Sequence, residues 1–277
     1  MNEEKKVENN RIEIDLLLEG IHRKYGYDFR NYTNAHIKRR LEYRLKISGC
    51  KNYMAMLHKL IYNEVFFNEL LLDLSINVSE MFRDPGFYQA ARETVIPYLR
   101  TYPFIKLWHA GCSAGQEAYS MVIMLKEEGL IDKCQVYATD FNELILAKAR
   151  DGIYPLDQIK KYTQNYQKAG GKRSFGEYYT ADYHSALIRQ SLKDRILFTY
   201  HNLVSDGVFG EMNIIFCRNV LIYFDQKLQN KVLKLFYDSL VPGGYLCLGT
   251  KESLRFSDCS QLFEPVIPDQ KIFRKKR

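Results

Sequence analysis

The sequence predicts an α/β protein, in which a parallel sheet with helices on both faces follows a small all-α domain and carries a small insertion. From about residue 106, short apolar strand-like runs alternate with helical stretches, a rhythm typical of a parallel sheet covered by helices. Before residue 75, apolar residues recur at helical spacing, and Gly and Pro are nearly absent. Residues 157–194 interrupt the alternation, which indicates an inserted subdomain.

The first domain is predicted over residues 1–75 as a bundle of short helices. Two apolar stripes at helical spacing carry this prediction: Ile12, Leu16, Leu17 and Ile21 in one helix, and Ile37, Leu41 and Leu45 in another. The second of these helices is also basic, and its cations include Lys38, Arg39, Arg40 and Arg44. Two interpretations of this basic helix stay open: a solvated helix face, or a docking surface for an acidic partner.

After a linker predicted at residues 76–95, the remaining domain is predicted over residues 96–277. Five apolar runs predict its strands, at 105–110, 136–139, 196–201, 212–217 and 245–249. Helical spacing predicts helices between them, at 117–128, 142–150 and 226–240. Two further runs, at 262–267 and 271–274, predict an antiparallel hairpin that completes the sheet. The insertion, at about 157–194, shows no clear helical or strand period.

Composition excludes several classes of protein. Hydrophobic residues make up 46% and charged residues 26%, typical of a folded rather than a disordered chain. No apolar run approaches the length of a membrane span, and the N-terminal residues lack a secretory pattern. The six cysteines lie far apart, without metal-ligand spacing. The net charge of +7 permits an acidic partner but does not indicate nucleic acid binding. We expect a cytoplasmic monomer without a metal ion.

A glycine-rich turn follows the first predicted strand. Gly111 and Gly115 let the backbone approach a ligand closely, and the helix after them offers free N–H groups. Asp140 stands at the end of the next strand, where a carboxylate can accept hydrogen bonds from both hydroxyls of a ribose. The G-x-x-x-G spacing differs from the G-x-G-x-x-G of dinucleotide sites. The pattern therefore favours a nucleoside without phosphates, such as S-adenosylmethionine.

The same turn also fits a rival interpretation. Residues 111–115 read G-x-S-x-G, the nucleophile elbow of α/β-hydrolases, with Ser113 as the nucleophile. That fold needs several strands before the elbow, whereas helical sequence precedes this one. An acid and a histidine should follow in that order, and the available pairs are Asp182 with His184 or Asp194 with His201. Neither pair stands out as catalytic, so the hydrolase is the weaker interpretation.

Separated motifs along nearly the whole chain resemble the chemotaxis receptor methyltransferase family (CheR). In chain order they are Tyr27–Phe29 with Ile37–Leu41, Asn77–Asp84, Trp108–Tyr119, Tyr137–Asp140, Phe216–Phe224, and Pro242–Leu246 with Gly249–Ser253. The run from Phe216 to Phe224, FCRNVLIYF, is a highly specific signature of the family.

The resemblance implies a Rossmann-like class I methyltransferase sheet that binds S-adenosylmethionine and leaves S-adenosylhomocysteine. The implied reaction methylates glutamate side chains in the cytoplasmic region of a chemoreceptor. With Gly111 of the turn, the implied donor contacts are Asn77, Ser79, Arg83, Glu117, Asp140, Asn202, Leu203, Arg218 and Asn219. Arg83 and Tyr223 would line the place where the methyl group moves.

The implied chemistry suits these side chains. A glutamate carboxylate, with a reference pKa of about 4.3, is ionised at neutral pH and needs no general base. Catalysis then depends on alignment. Arg83 could hold the carboxylate through two hydrogen bonds, and the ring of Tyr223 could face the sulfonium. The structural alternatives are an Arg83 that only pairs with Asp84 or a helix end, and a Tyr223 that packs in the core. His109 and His201 are expected to be packed rather than catalytic.

Some residues depart from the family pattern, and two alternatives stay open. Gln116, Ala114 and Met81 replace residues that are common in the family, whereas Glu117 is kept. In the receptor-methylating family the insertion forms a small β-subdomain that in some members holds a receptor tail peptide, and this insertion does not resemble that version. The acceptor could therefore be another signalling protein. A non-catalytic sensor of S-adenosylmethionine is the other alternative.

Overall fold

The computed structural model describes residues 3–75 and 79–276. The internal contacts divide the chain into two compact units. The first consists of Met1–Ile76 with Tyr223–Gln229, and the second of Asn77–Ile222 with Asn230–Arg277. The domain boundaries given above, at 75 and 95, stay predictions.

Four helices form most of the first unit: α1 Glu3–Tyr25, α2 Asn34–Ser48, α3 Tyr53–Tyr62 and α4 Glu64–Leu74. Asn52 and Asn63 begin α3 and α4, because their side chains accept hydrogen bonds from backbone N–H groups of the first turn. Gly49 ends α2 in the left-handed conformation, with φ of 69°. The helix α1 contacts α3, and α2 contacts α4. The predicted helical bundle is confirmed, although α1, with 23 residues, is not short.

The stripe predicted for α1 is partly wrong. Leu17 and Ile21 are buried, but Ile12 and Leu16 are 53% and 48% exposed. Successive residues of a helix lie about 100° apart, so the row with i, i+4 spacing through Leu16 faces away from the row through Leu17. The buried row also includes Glu13, whose carboxylate accepts a hydrogen bond from the backbone N–H of Tyr53. The sequence shows two such rows and does not reveal which one is buried.

The described residues of the second unit form ten strands. They are β1 Ile105–Ala110, β2 Cys134–Asp140, β3 Ile153–Pro155, β4 Tyr179–Ala181, β5 Ser185–Ile188, β6 Ile196–Tyr200, β7 Met212–Cys217, β8 Leu240–Leu248, β9 Phe263–Ile267 and β10 Ile272–Lys275. Seven of them form one sheet, in the order β6-β2-β1-β7-β8-β10-β9. The first five in this order are parallel, and β10 is antiparallel to both of its neighbours. The predicted sheet and its final hairpin are confirmed.

The central strand β7 is mostly apolar and lies inside the domain. All six residues of β7 are buried, as expected for a strand covered on both faces. The strand β8 begins at Leu240, five residues before the predicted start. Its register with β7 is irregular between Met212 and Ile214. Pro242 and two glycines occupy the early part of β8, and they hid the strand pattern in the sequence.

The remaining helices are α5 Pro85–Ala90, a π-helical turn at Ala91–Val95, α6 Ile96–Leu99, α7 Gln116–Glu127, α8 Glu143–Asp151, α9 Leu156–Lys168, α10 Gln190–Lys193 and α11 Gln226–Ser239. The three helices predicted after residue 96 match α7, α8 and α11 within two residues at either end. Across residues 3–75 and 79–276, no helix is both long enough and apolar enough to cross a bilayer.

The insertion contains regular structure that the sequence reading missed. Ile159, Tyr162 and Tyr166 are buried along α9, so a helical period was present there. The strands β3, β5 and β4 form a separate antiparallel sheet. The carboxylate of Glu127, at the end of α7, accepts hydrogen bonds from the hydroxyls of Tyr166 and Tyr178. These bonds tie the insertion to the helix that follows the glycine-rich turn.

Candidate functional site

Four of the predicted site residues lie at one edge of the sheet in the second unit. Parallel strands end at the same edge, and β6, β2, β1 and β7 are adjacent. Asn202, Gly111 and Arg218 follow β6, β1 and β7, and Asp140 is the last residue of β2. Ligands of open α/β sheets bind outside the carboxyl ends of the strands, so this edge is the candidate site.

The glycine-rich turn is held by close packing and by hydrogen bonds. Gly111 has φ of 75°, and a Cβ atom built on it would lie 2.7 Å from Cγ2 of Val220. The backbone N–H groups of Gly111 and Cys112 donate to the carbonyl of Thr139, at 2.9 and 2.8 Å. The hydroxyl of Tyr154 donates to the carbonyl of Ala114, at 2.7 Å. Only glycine fits at position 111, and the turn is fixed before any ligand binds.

Asp140 links the turn to the neighbouring loops. Its carboxylate accepts hydrogen bonds from the backbone N–H of Ser113 at 3.0 Å and of Asn142 at 3.1 Å. Its carbonyl accepts one from the N–H of His201 at 3.2 Å, so the loop with Asn202 starts beside it. Burial raises the pKa of Asp140 to about 6, although its backbone hydrogen bonds lower it in part. At neutral pH the group is mainly ionised and can accept further hydrogen bonds.

Arg218 is the centre of a buried charge network. Its Nη1 donates to Oε2 of Glu117 and its Nη2 to Oδ2 of Asp84, each at 2.8 Å. Its guanidinium also lies 4.2 Å from the ring centroid of Phe87. Glu117 in turn lies 3.3 Å from Nδ1 of His109. Burial raises the pKa of Glu117, but Arg218 and His109 outweigh it, so that the net shift is downward and the carboxylate is ionised.

Several buried polar atoms near the turn have no hydrogen-bond partner among the described residues. They are Nε2 of His109, Oγ of Ser113, Oε1 of Gln116 and Nε of Arg218. Buried polar atoms are normally paired, because a missing hydrogen bond costs about 1–3 kcal/mol. One donor (Nε of Arg218), one acceptor (Oε1 of Gln116) and two groups that can do either suit a ligand with amino, carboxylate and hydroxyl groups. These residues, with Gly111 and Asp140, therefore fit S-adenosylmethionine.

Backbone strain is concentrated in the same loops. Within the described part of the chain, five residues other than glycine have a positive φ: Phe82, Asp84, Ser113, Asn219 and Lys271. Four of the five, all except Lys271, lie in the motifs that carry the predicted site. Such conformations cost about 1–3 kcal/mol each and persist where the surroundings enforce them.

The remaining predicted donor residues occupy the same unit with fewer contacts to one another. Asn77 lies outside the described residues. Ser79 and Arg83 are half-buried, and the carbonyl of Arg83 accepts a hydrogen bond from Arg218 at 3.5 Å. Asn202 and Leu203 are buried. The side chain of Asn202 accepts a hydrogen bond from the N–H of Val204, which shapes its own loop.

The guanidinium of Arg83 has no hydrogen-bond or ion-pair partner among residues 3–75 and 79–276. The predicted structural alternative, a pair with Asp84, does not occur, because Asp84 binds Arg218 instead. An unpaired, half-buried cation beside a buried charge network is suited to an anionic group from a ligand or substrate.

Tyr223 belongs to the first unit. Its carbonyl accepts a hydrogen bond from the N–H of Thr33 at 2.8 Å, and its ring centroid lies 4.8 Å from that of His36. The next residue, Phe224, forms an isolated bridge with Tyr32, and their rings are 5.0 Å apart. The catalytic role of Tyr223 stays a prediction.

The structure corrects the predicted docking set on α2. Arg44 is buried, and its Nε donates to Asp73 at 2.5 Å while its Nη1 donates to Glu69 at 2.7 Å. Its Nη2 donates to the carbonyl of Glu69 at 3.0 Å. The docking prediction for Arg44 is therefore wrong, because its guanidinium is committed inside the first unit. Lys38 and Arg39 are exposed, and Arg40 is half-buried.

Three residues of the site were not predicted as site residues from the sequence. Glu252 is buried and accepts hydrogen bonds from the N–H groups of residues 219, 220, 221 and 249. Asp84 and Phe87 contact the guanidinium of Arg218. Asp84 and Glu252 lie inside the recognised motifs, but their contacts cross 134 and 31–33 positions of sequence, so local patterns could not reveal them.

The hydrolase interpretation lacks its central contact. The hydroxyl of Ser113 has no hydrogen-bond partner among the described residues. His109 stacks on Phe216, with ring centroids 4.6 Å apart, and His201 binds the carbonyl of Gly207. Both histidines are buried and packed. No histidine is thus placed to activate Ser113 in the part of the chain that the structure describes.

The fold and the site define a nucleoside-binding α/β domain of the S-adenosylmethionine-dependent methyltransferase class. The family model described as "CheR methyltransferase, SAM binding domain" matches residues 77–268, and "CheR methyltransferase, all-alpha domain" matches residues 12–75. The chain belongs to the CheR methyltransferase family, and its donor is S-adenosylmethionine.

Similar proteins agree with this assignment. A Pseudomonas putida protein named as a methyltransferase, Cher3, is 49% identical over 96% of this chain and 98% of its own length. A chemotaxis protein methyltransferase of Borreliella burgdorferi is 29% identical over 88% of both chains. Chemotaxis protein methyltransferase 2 of Vibrio cholerae is 30% identical over 84% of this chain and 82% of its own.

Proposed function

We propose that this methyltransferase esterifies glutamate side chains in the cytoplasmic region of a chemoreceptor. The observation that carries the proposal is the unpaired guanidinium of Arg83, which can bind an incoming carboxylate at the donor site. The names of the relatives from Borreliella and Vibrio, both chemotaxis protein methyltransferases, support a receptor as the acceptor.

The proposed reaction needs orientation rather than proton transfer. A carboxylate oxygen forms a bond to the methyl carbon, the bond from that carbon to sulfur breaks, and the electron pair stays on sulfur. S-adenosylmethionine supplies the electrophilic methyl group. Arg83 holds the carboxylate, Asp140 holds the ribose, and Glu117 with Arg218 holds the amino acid end of the donor. Ser79, Gly111, Asn202, Leu203 and Asn219 complete the proposed donor contacts, and Tyr223 is proposed beside the methyl group.

Labelled methyl transfer tests the proposal. The protein is incubated with radiolabelled S-adenosylmethionine and a chemoreceptor cytoplasmic fragment, and with the same fragment carrying Gln in place of its methylatable Glu residues. We expect label on the first fragment only, and its release by mild base, as from a methyl ester. Arg83→Ala should abolish the transfer and weaken donor binding far less than it weakens the transfer, whereas the surface control Arg195→Ala should keep both.

Other outcomes would favour the alternatives. Label on a different protein of a cell lysate, with none on receptor fragments, would replace the chemoreceptor by another signalling protein. Donor binding without transfer to any protein would favour a sensor. Near-normal turnover of Arg83→Ala would remove Arg83 from the catalytic assignment.

A further inference from the structure

A buried carboxylate holds the loop that carries the proposed donor contacts Arg218 and Asn219. Glu252 is only 4% exposed. Its Oε1 accepts hydrogen bonds from the N–H groups of Val220 at 2.8 Å and Leu221 at 2.7 Å. Its Oε2 accepts them from Asn219 at 3.0 Å and Gly249 at 2.5 Å. One anion therefore satisfies three successive N–H groups after β7 and one after β8.

This carboxylate has no cation within salt-bridge distance among the described residues, so backbone dipoles alone compensate its charge. Burial raises the pKa of Glu252, and the four backbone hydrogen bonds offset only part of this rise. Convergent N–H groups form a concave anion site of the kind that binds phosphate in other proteins. Here a side chain of the same chain fills it.

The loop that Glu252 holds is tightly packed. Asn219 is held at φ of 63°, in the left-handed region. A Cβ atom on Gly249 would lie 2.8 Å from the backbone N of Asn219, so the two loops touch directly. Val220 lies against Gly111, the residue at which the donor turn approaches closest. A shift of the loop would therefore move both Asn219 and the wall of the donor turn.

We propose that Glu252 is a positioning residue for the donor site: its carboxylate sets the conformation of residues 219–221 and thereby the affinity for S-adenosylmethionine. The proposal rests on the donor contacts proposed above but not on the identity of the acceptor. It can therefore be tested by donor binding alone, and a failure to methylate receptors would not affect it.

The test uses Glu252→Gln and Glu252→Ala in the full chain, with the dissociation constant of S-adenosylhomocysteine measured by calorimetry. The amide of Glu252→Gln replaces one acceptor by an NH2 group that faces N–H donors. Because buried N–H groups that lose their acceptor favour a rearranged loop over the one that binds the donor, we expect affinity to fall by between about 10-fold and 100-fold in both variants. In Glu252→Ala, added formate should occupy the vacated anion site and restore much of the affinity, whereas Glu252→Gln should not respond.

A matched carboxylate separates positioning from general stability. Glu128 is also buried, but its partners are the side chains of Arg92, Arg100 and Lys172. Glu128→Gln should lower the melting temperature and leave donor affinity unchanged, with or without formate. Wild-type affinity in Glu252→Gln would overturn the proposal. So would a formate effect that restores the melting temperature of Glu252→Ala without its donor affinity. If Glu252→Ala does not fold, the affinity of Glu252→Gln decides.

Discussion

Each unit contains a buried arginine, and a comparison of the two distinguishes a side chain that stabilises the fold from one that is suited to bind a ligand. Arg44 of the first unit and Arg218 of the second each bind two carboxylates, Glu69 with Asp73 and Glu117 with Asp84, respectively. All three nitrogens of the Arg44 guanidinium donate hydrogen bonds. Nε of Arg218 has no partner among the described residues.

The surroundings of the two side chains differ in the same way. Arg44 lies in a regular helix and binds side chains of another regular helix, α4. Arg218 lies between loops in which Phe82, Asp84, Ser113 and Asn219 have strained backbones. An arginine in regular helices whose nitrogens all donate hydrogen bonds within the protein stabilises the fold. An arginine among strained loops that keeps one nitrogen without a partner can donate to a ligand. The identity of the residue and its burial alone do not separate these cases.

The largest effect is expected at Arg218. Arg218→Met would leave Glu117 and Asp84 without their cation, and breaking such a buried network costs about 3–5 kcal/mol. We expect affinity for S-adenosylhomocysteine, measured by calorimetry, to fall at least about 100-fold, and the melting temperature to fall as well. Arg218→Lys keeps the charge but not the planar fork, so it should recover stability more than affinity. Wild-type affinity in the lysine variant would contradict the assigned role.

Arg44 provides the opposite expectation. Arg44→Met removes charge-assisted hydrogen bonds to Glu69 and Asp73, and should lower the free energy of unfolding by about 2 kcal/mol. Donor affinity should stay within about twofold of wild type, because every contact of Arg44 is internal to the first unit. Denaturant unfolding and calorimetry on the same preparation give both values. A large loss of affinity with unchanged stability would break the comparison between the two arginines.

The sequence revealed the sheet because parallel strands are continuous apolar runs that end in recognisable turns. β1 and β7 match their predicted bounds, and Gly111 was recognised from its place after β1. The exception is β8, in which Pro242 and the following glycines interrupt the apolar pattern. The apolar pattern therefore predicts a strand correctly where every buried strand position carries an apolar residue.

The rest of the site could not be predicted, because its contacts are distant in sequence. The sequence predicted Arg44 as an exposed cation, but it binds Glu69 and Asp73, which lie 25 and 29 positions away in the chain. Glu252 stood in a motif without an assigned role, and its partners are backbone N–H groups, which do not depend on residue type and so leave no pattern in the sequence. A single sequence gives the periodicity of a helix, but not which charge of one helix meets which charge of another.

Asp140 offers an intermediate case, a buried charge whose partners are backbone N–H groups. Its pKa of about 6 lies above the unfolded value, so protonation stabilises the folded chain at pH below about 4, and this contribution is lost as pH rises through 6. Donor binding should show the opposite trend, because only the ionised carboxylate can accept from both ribose hydroxyls.

The affinity for S-adenosylhomocysteine should therefore fall about tenfold between pH 7 and pH 5, as the ionised fraction falls. Asp140→Asn should bind weakly at both pH values and show a flat profile. Calorimetry at the two pH values, with the circular dichroism spectrum as a check of folding, measures both. An equally steep profile in Asp140→Asn would assign the titration to another group.

The smallest effect is expected on the exposed side of α2, the same helix that buries Arg44. Lys38 is exposed and lies 3.8 Å from Glu42, and Arg39 is exposed as well. If these cations dock an acidic region of the acceptor, Lys38→Glu with Arg39→Glu should raise the KM for a receptor fragment by about threefold to tenfold at low salt, and less at high salt. Donor affinity should not change.

The matched double variant Lys5→Glu with Arg11→Glu, on α1, changes the net charge of the first unit equally and should leave KM near wild type. Equal KM values in the two double variants would make the exposed cations of α2 a solvated face, and docking would then need another surface. A rise in KM confined to α2 would mean that one helix uses its buried arginine for stability and its exposed cations for recognition.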